Sequence, residues 1–195
     1  RYGVDWQQDN KVFGVDNIAQ AEFDTGPFSH TAIVGLDYYH FNSKFDGLYD
    51  YNPPIIDLFT PTYGQPLNFG NNYRWDNTIT QTGLYAQDQI KLDQWIFVLG
   101  GRYDWAETDN KQPLSGAHTS SKDEKFTGRG GIVYLFDNGL APFISYSESF
   151  LPLSGTNVQG KAFDPSTGKQ YEAGVKYQPP GQNSFVQISA YELEQ

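Results

Sequence analysis

Alternation of polar and apolar residues over positions 170–177 constrains the fold of this chain more than any other feature. One face of the extended segment carries Tyr171, Ala173, Val175 and Tyr177, and the other carries Gln170, Glu172, Gly174 and Lys176. The charged face suits a water-filled or occupied lumen better than a packed core. Tyrosines at the edges of the apolar face are typical of the girdles at a membrane interface. The segment therefore predicts one strand of a transmembrane β-barrel.

The same period of two recurs along the chain and indicates an all-β, antiparallel fold. Eight strands are predicted, at residues 13–24, 29–43, 78–92, 95–108, 122–136, 140–150, 169–178 and 183–194. Most of them exceed the roughly 9–11 residues that a tilted strand needs to cross a bilayer. Strands of soluble proteins average about 5–6 residues. The lengths favour a membrane barrel over a soluble sandwich.

The predicted connections alternate in length. Turn-forming residues occupy positions 25–28, 93–94, 137–139 and 179–182, and long loops are predicted at 44–77, 109–121 and 151–168. An up-and-down barrel shows this alternation because its turns gather at the periplasmic rim and its long loops at the extracellular rim. A soluble sugar-binding sandwich remains the alternative, with less reason to sort its loops in this way.

Charged residues in the predicted strands lie opposite the apolar face. They are Asp16, Glu22, Asp37, Arg102, Asp104, Arg129, Glu172 and Lys176. A charge on the lipid side costs roughly 2–4 kcal/mol at the middle of the bilayer, so this sorting is expected of a barrel. Asp88 is the exception, because it falls in register with Leu84 and Ala86. It is expected near the periplasmic rim, unless the register shifts there.

Composition excludes several classes of function. The net charge of −10 disfavours a nucleic-acid partner, and the absence of cysteine rules out disulfides and thiolate metal sites. The mean hydropathy is −0.58, and no apolar run approaches the roughly 18–20 residues of a membrane helix. His30, His40 and His118 are too scattered to predict a catalytic or metal centre. The chain is therefore not expected to be an enzyme, and an outer-membrane hydrolase is disfavoured.

Four blocks of sequence, in order, resemble TonB-dependent ferric siderophore receptors, particularly the ferric hydroxamate (ferrichrome, ferrioxamine and coprogen) branch. The blocks are TGLYAQDQ at 82–89, LGGRYDW at 99–105, RGGIVYLFDNG with PFISYSESF within 129–150, and PSTGKQYEAGVKY at 165–177. The resemblance implies a bacterial outer-membrane barrel of roughly 22 strands that is filled by an N-terminal plug domain. Residues 1–195 are interpreted as a partial barrel domain, about eight strands, without the plug.

The resemblance also implies what the protein binds. The expected ligand is a ferric hydroxamate siderophore, and the expected partners are TonB, reached through the plug, and outer-membrane lipid; phages or bacteriocins commonly use such receptors. No cofactor or protein metal site is expected, because the iron is carried within the siderophore. The alternative is a passive porin-like barrel or a small eight-strand outer-membrane barrel.

The predicted loop at 44–77 is the candidate binding region. It combines many aromatic residues with four prolines, and exposed apolar surface of that kind commonly binds a ligand. Aromatic faces together with Tyr O–H and Trp N–H donors suit a chelate whose iron is already wrapped. The predicted ligand contacts are Tyr49, Tyr51, Tyr63, Tyr73 and Trp75. The alternative is that these aromatics pack against one another and cap the barrel.

Overall fold

The computed structural model describes residues 2–195, which form one antiparallel sheet of eight strands. The strands are β1 (Gly3–Thr25), β2 (Phe28–Asp50), β3 (Asn71–Leu92), β4 (Trp95–Gln112), β5 (Ala117–Tyr134), β6 (Leu140–Leu151), β7 (Ser166–Tyr177) and β8 (Val186–Glu194). Each strand pairs with the next along the chain, so the order in the sheet is the order in the sequence. The prediction of eight antiparallel strands in an all-β fold is confirmed.

The sheet is a single open layer. Within residues 2–195 the two outermost strands, β1 and β8, do not pair with each other. Among the described residues, the buried apolar side chains are all small: Ala106, Ala141 and Pro152. Residues 2–195 contain no helix that is long and apolar enough to span a membrane. The apolar residues thus form a surface rather than a packed core.

One surface of the sheet, the outer face, carries an apolar band between two rows of aromatic residues. The lower row lies near the short turns that follow β1, β3, β5 and β7, and includes Phe23, Trp95, Tyr134 and Tyr177. The upper row lies toward the opposite ends of the strands, and includes Tyr38, Tyr103, Trp105, Phe126, Tyr146 and Tyr171. From Trp95 to Trp105, β4 rises about 33 Å along its axis, or about 23 Å after a tilt of about 45°. That height matches the roughly 25 Å apolar band of an outer-membrane barrel.

Carboxylates lie just beyond the upper aromatic row. Tyr103 donates its hydroxyl hydrogen to Glu124 at 2.6 Å, and Tyr146 donates to Glu148 at 2.7 Å. Each tyrosine thus keeps its ring on the apolar band while its hydroxyl points to a charged group, as residues at a membrane interface do. These contacts mark the level at which the outer face changes from apolar to charged.

The opposite surface, the inner face, carries the predicted lumen charges. The register aligns Asp16 with Asp37, and Asp37 with Gly83 and Asp104, which places the three carboxylates on one face. Asp88 does lie on the outer face, because the β3–β4 pairing runs without a shift from Asp76 to Leu92. It sits near the short turn after β3, and Nδ1 of His30 lies 2.7 Å from its Oδ2.

The predicted long loops were partly wrong. Residues 44–50 belong to β2 and residues 71–77 to β3, so the first loop is only 51–70, and β1 begins at Gly3 rather than at 13. The predicted loop 109–121 is instead a strand hairpin with a turn at 113–116. Its polar residues pair across the strands, as in the contacts Thr108–Ser121 at 2.7 Å and Asp109–His118 at 2.6 Å.

Candidate functional site

A ladder of stacked aromatic rings crosses the inner face of β1, β2 and β3 near their loop-bearing ends. The ring centroids of Trp6 and Phe45 lie 6.0 Å apart, and those of Phe45 and Trp75 lie 5.1 Å apart with an interplanar angle of 8°. Phe45 and Trp75 are directly opposite in the register of β2 and β3. Alternation along each strand turns these rings to the same side as the lumen charges.

Three tyrosines, Tyr49, Tyr51 and Tyr73, extend this ladder toward the loop, and the ladder and the tyrosines together form the aromatic surface. Tyr49 packs edge-on against Tyr73 with centroids 5.1 Å apart and stacks on Tyr51 at 6.0 Å. The hydroxyl groups of Tyr51 and Tyr73 lie 2.9 Å apart, so one donates a hydrogen bond to the other. This bond, followed by partial desolvation, raises the pKa of Tyr51. A phenol is protonated at neutral pH even at its ordinary pKa of about 10, so the Tyr51 hydroxyl can act as a donor.

The structure brings together four of the five predicted ligand contacts. Tyr49, Tyr51, Tyr73 and Trp75 form one surface, although Tyr51 alone lies in the loop and the other three lie on strands. Tyr63 stands apart in the loop with 78% of its surface exposed. The sequence argument did not select Phe45 as a contact and placed Trp6 before the first strand. Alternation of Val4 and Trp6 with polar neighbours was the signal that could have extended β1.

A polar network occupies the inner face below the aromatic surface. The Arg102 guanidinium donates to both oxygens of Asp104, at 2.9 and 2.8 Å from Nε, and to both oxygens of Asp37, one of them at 2.9 Å. Gln81 donates to Asp104 at 2.8 Å. On the neighbouring strands, Tyr85 donates to Asp16 at 2.9 Å. The charges thus compensate one another along the wall.

Two glycines make these contacts across strands possible. Arg102 of β4 reaches Asp37 of β2 by lying over Gly83 of β3, and a Cβ at Gly83 would overlap the guanidinium. Tyr85 of β3 reaches Asp16 of β1 by lying over Gly35 of β2, where a Cβ would meet the phenol ring. Each long side chain therefore crosses one intervening strand at a position without a side chain.

The chemistry of the two regions is that of binding. Residues 2–195 hold no group of three or more histidine, cysteine or acidic side chains that could ligate a metal ion. The aromatic surface offers ring faces and phenol donors, which suit an uncharged organic ligand. An apolar groove of about 780 Å³ lies mainly on the outer face and is lined in part by Phe97, Leu99 and Ile144. Its position suits contact with lipid rather than with a transported ligand.

The sequence matches a family model over nearly all of its length. Residues 2–195 match the model described as "TonB dependent receptor-like, beta-barrel". The chain is 40% identical to the "Ferrioxamine B receptor" of Salmonella typhimurium over 185 residues, covering 94% of this chain and 26% of the relative. It is 40% identical to the "Ferrichrome outer membrane transporter/phage receptor" of Escherichia coli over 204 residues, covering 99% and 27%.

The fold is similar to that of solved outer-membrane transporters. The unliganded ferric citrate transporter FecA superposes with a TM-score of 0.77 at 16% identity, covering 98% of this chain and 28% of the transporter. The chain thus spans about a quarter of the length of these relatives. The two relatives that are 40% identical are named as a receptor and a transporter, in agreement with the prediction that the chain is not an enzyme. The comparisons give no support to the porin alternative.

Proposed function

Because the chain belongs to the TonB-dependent receptor β-barrel family, whose members lie in the bacterial outer membrane, we propose that it contributes to the uptake of a ferric hydroxamate siderophore. The chain supplies part of the barrel wall, and its aromatic surface contacts the loaded chelate. This surface consists of Trp6, Phe45, Tyr49, Tyr51, Tyr73 and Trp75. TonB, a plug domain and outer-membrane lipid are the proposed partners of the whole protein. Phage binding, which the name of the Escherichia coli relative records, is a further hypothesis.

The absence of charge on the aromatic wall is the observation that carries this proposal. Between Asp16 and Asp37 and the loop-bearing end of the sheet, the inner face carries aromatic, aliphatic, amide and hydroxyl side chains, with no lysine or arginine. This holds for β1 and for the parts of β2 and β3 between Tyr39 and Gln81. Three hydroxamates neutralise Fe³⁺, whereas three catecholates leave a complex with three negative charges. An uncharged, aromatic wall suits the neutral complex, since a trianion would need cationic partners.

Iron in such a complex needs no ligand from the protein. Six chelator oxygens fill its coordination sphere, so recognition falls to the organic shell of the ligand. Ring faces can pack on the aliphatic linkers of a hydroxamate, and the Tyr51–Tyr73 pair can donate to a carbonyl oxygen. This agrees with the aromatic composition of the surface and with the names of the two relatives that are 40% identical.

Calorimetric titration of the full-length receptor in detergent tests the proposal. We expect saturable binding of a neutral ferric hydroxamate at micromolar concentration or below, and no saturable binding of a trianionic ferric catecholate. Trp75→Ala removes an aromatic anchor and should weaken binding about thirtyfold, as expected for an interface residue worth about 2 kcal/mol.

The matched control is Trp105→Ala, which removes an indole from the outer face. Its affinity should stay within about twofold of the parent, since a ligand in the lumen does not reach it. Preference for the catecholate would overturn the hydroxamate assignment. Equal losses of affinity in the two tryptophan variants would show that the aromatic ladder is not part of the binding site.

A further inference from the structure

Asp50, the last residue of β2, closes the loop that carries part of the aromatic surface. Only 5% of its surface is exposed. One carboxylate oxygen accepts the backbone N–H of Asn52 at 2.9 Å, and the other accepts that of Asn68 at 2.8 Å. A single side chain therefore binds the first and the last turn of loop 51–70.

The backbone ladder between β2 and β3 ends at the pair Tyr49–Asn71 and does not continue into the loop. Positions 53, 54, 61 and 66 are prolines, which lack the N–H that a continued strand ladder would use. Asp57 binds the N–H groups of Phe59 and Thr60, a local turn that lowers its pKa but does not tie the loop to the sheet. A buried carboxylate with two N–H partners thus replaces the missing backbone ladder.

The position of Asp50 connects this clasp to the aromatic surface. Asp50 lies between Tyr49 and Tyr51 in the chain and opposite Gly3 in the register. The side chain of Leu67, next to the clasped Asn68, packs against Gly3. When both ends of the loop are held, Tyr51 is held where its hydroxyl meets Tyr73.

We infer that Asp50 is a positioning residue, which holds loop 51–70 so that the tyrosine cluster is organised before a ligand arrives. This inference rests on the proposed function, because the ligand it serves is the chelate. The chemistry favours aspartate because two separate N–H donors need two acceptor oxygens. Asparagine provides one such oxygen, and alanine provides none.

Limited chymotrypsin cleavage of the full-length receptor in detergent tests the clasp directly. Loop 51–70 contains the aromatic cleavage sites Tyr51, Phe59, Tyr63 and Phe69. Asp50→Ala removes both hydrogen bonds and should raise the initial rate of cleavage in this loop at least about tenfold, since the loss of even one charge-assisted hydrogen bond changes an opening equilibrium by about that factor. Asp50→Asn should fall between the parent and Asp50→Ala.

Asp46→Ala is the matched control. It removes the same charge four residues earlier on β2, but from an exposed pair with Arg74 on the outer face. Exposed pairs contribute little, so its cleavage rate should stay within about twofold of the parent. Equal rates for Asp50→Ala and Asp46→Ala would overturn the clasp, whether or not the receptor binds any chelate.

Affinity separates positioning from a general structural role. With a ferric hydroxamate that the parent binds, Asp50→Ala should weaken binding about tenfold while the guanidinium unfolding midpoint of the barrel is unchanged. A midpoint that falls together with the affinity would overturn the positioning role. A parent that binds no chelate would refute the proposed function, and the cleavage rates would still decide whether Asp50 holds the loop.

Discussion

Replacing Arg102 by methionine is expected to destabilise the barrel by about 3 kcal/mol, the lower end of the range for removing one partner of a buried ion pair. Among the described residues, the Arg102 guanidinium is the only cation bound to Asp104, whose side chain is 3% exposed. It also binds Asp37, which is 21% exposed. Methionine keeps most of the side-chain length but leaves two carboxylates without compensation. The estimate is at the lower end because Arg102 itself is 31% exposed.

Guanidinium unfolding of the full-length receptor in detergent measures this loss. Arg129→Met is the matched control, because Arg129 also lies on the inner face but has no ion-pair partner within residues 2–195. We expect the control to lose less than about 1 kcal/mol. Adding Asp104→Asn to Arg102→Met should restore part of the stability, since it removes the buried uncompensated charge. Similar losses from the two arginine variants would contradict the role of the network.

Replacing Gly139 by alanine is expected to cost about 3 kcal/mol or more and to reduce the yield of folded barrel. Gly139 lies in the turn between β5 and β6 with φ of +88°. Gln178, at the start of the turn between β7 and β8, donates its N–H to the Gly139 carbonyl at 2.9 Å. A Cβ on Gly139 would overlap the Gln178 carbonyl oxygen and lie 2.8 Å from its carbonyl carbon. Backbone cannot yield as a flexible side chain can.

Gly181→Ala provides the control for backbone conformation alone. Gly181 lies in the adjacent turn with φ of +78°, but a Cβ there would meet no atom within 4 Å. We expect it to cost about 1 kcal/mol, the penalty of the left-handed conformation without a clash. Folded yield and unfolding midpoint of the two variants in detergent give the comparison. Equal effects would show that contact between the two turns does not matter.

The part of the fold that crosses the apolar band could be predicted because lipid and water impose opposite demands on the two faces. On β4, the structure places Trp95, Phe97, Leu99, Tyr103 and Trp105 on the outer face and Arg102 and Asp104 on the inner face, which also takes the smaller apolar residues Ile96 and Val98. Beyond the upper aromatic row both faces meet water. Residues 44–50 and 71–77 therefore read as loop although they extend β2 and β3.

The predicted contacts show the same division. The sequence identified an aromatic segment and selected four residues that the structure brings together, because aromatic composition is visible without a fold. The sequence did not indicate that Trp6 belongs to the aromatic ladder, since that residue becomes a neighbour of Phe45 only through the pairing of β1 with β2. The sequence argument also grouped Tyr63 with the others, because residue type alone does not distinguish an exposed loop tyrosine from one on the barrel wall.

The sequence by itself determined the all-β class, the eight strands, their inner and outer faces and the aromatic character of the candidate site. These follow from a period of two and from residue chemistry, both of which are local. The tertiary structure alone decided which distant residues meet: Arg102 with Asp37 over Gly83, and Asp50 with Asn68 across the loop. Such contacts depend on the strand register, which is fixed by hydrogen bonding between whole strands rather than by any single segment.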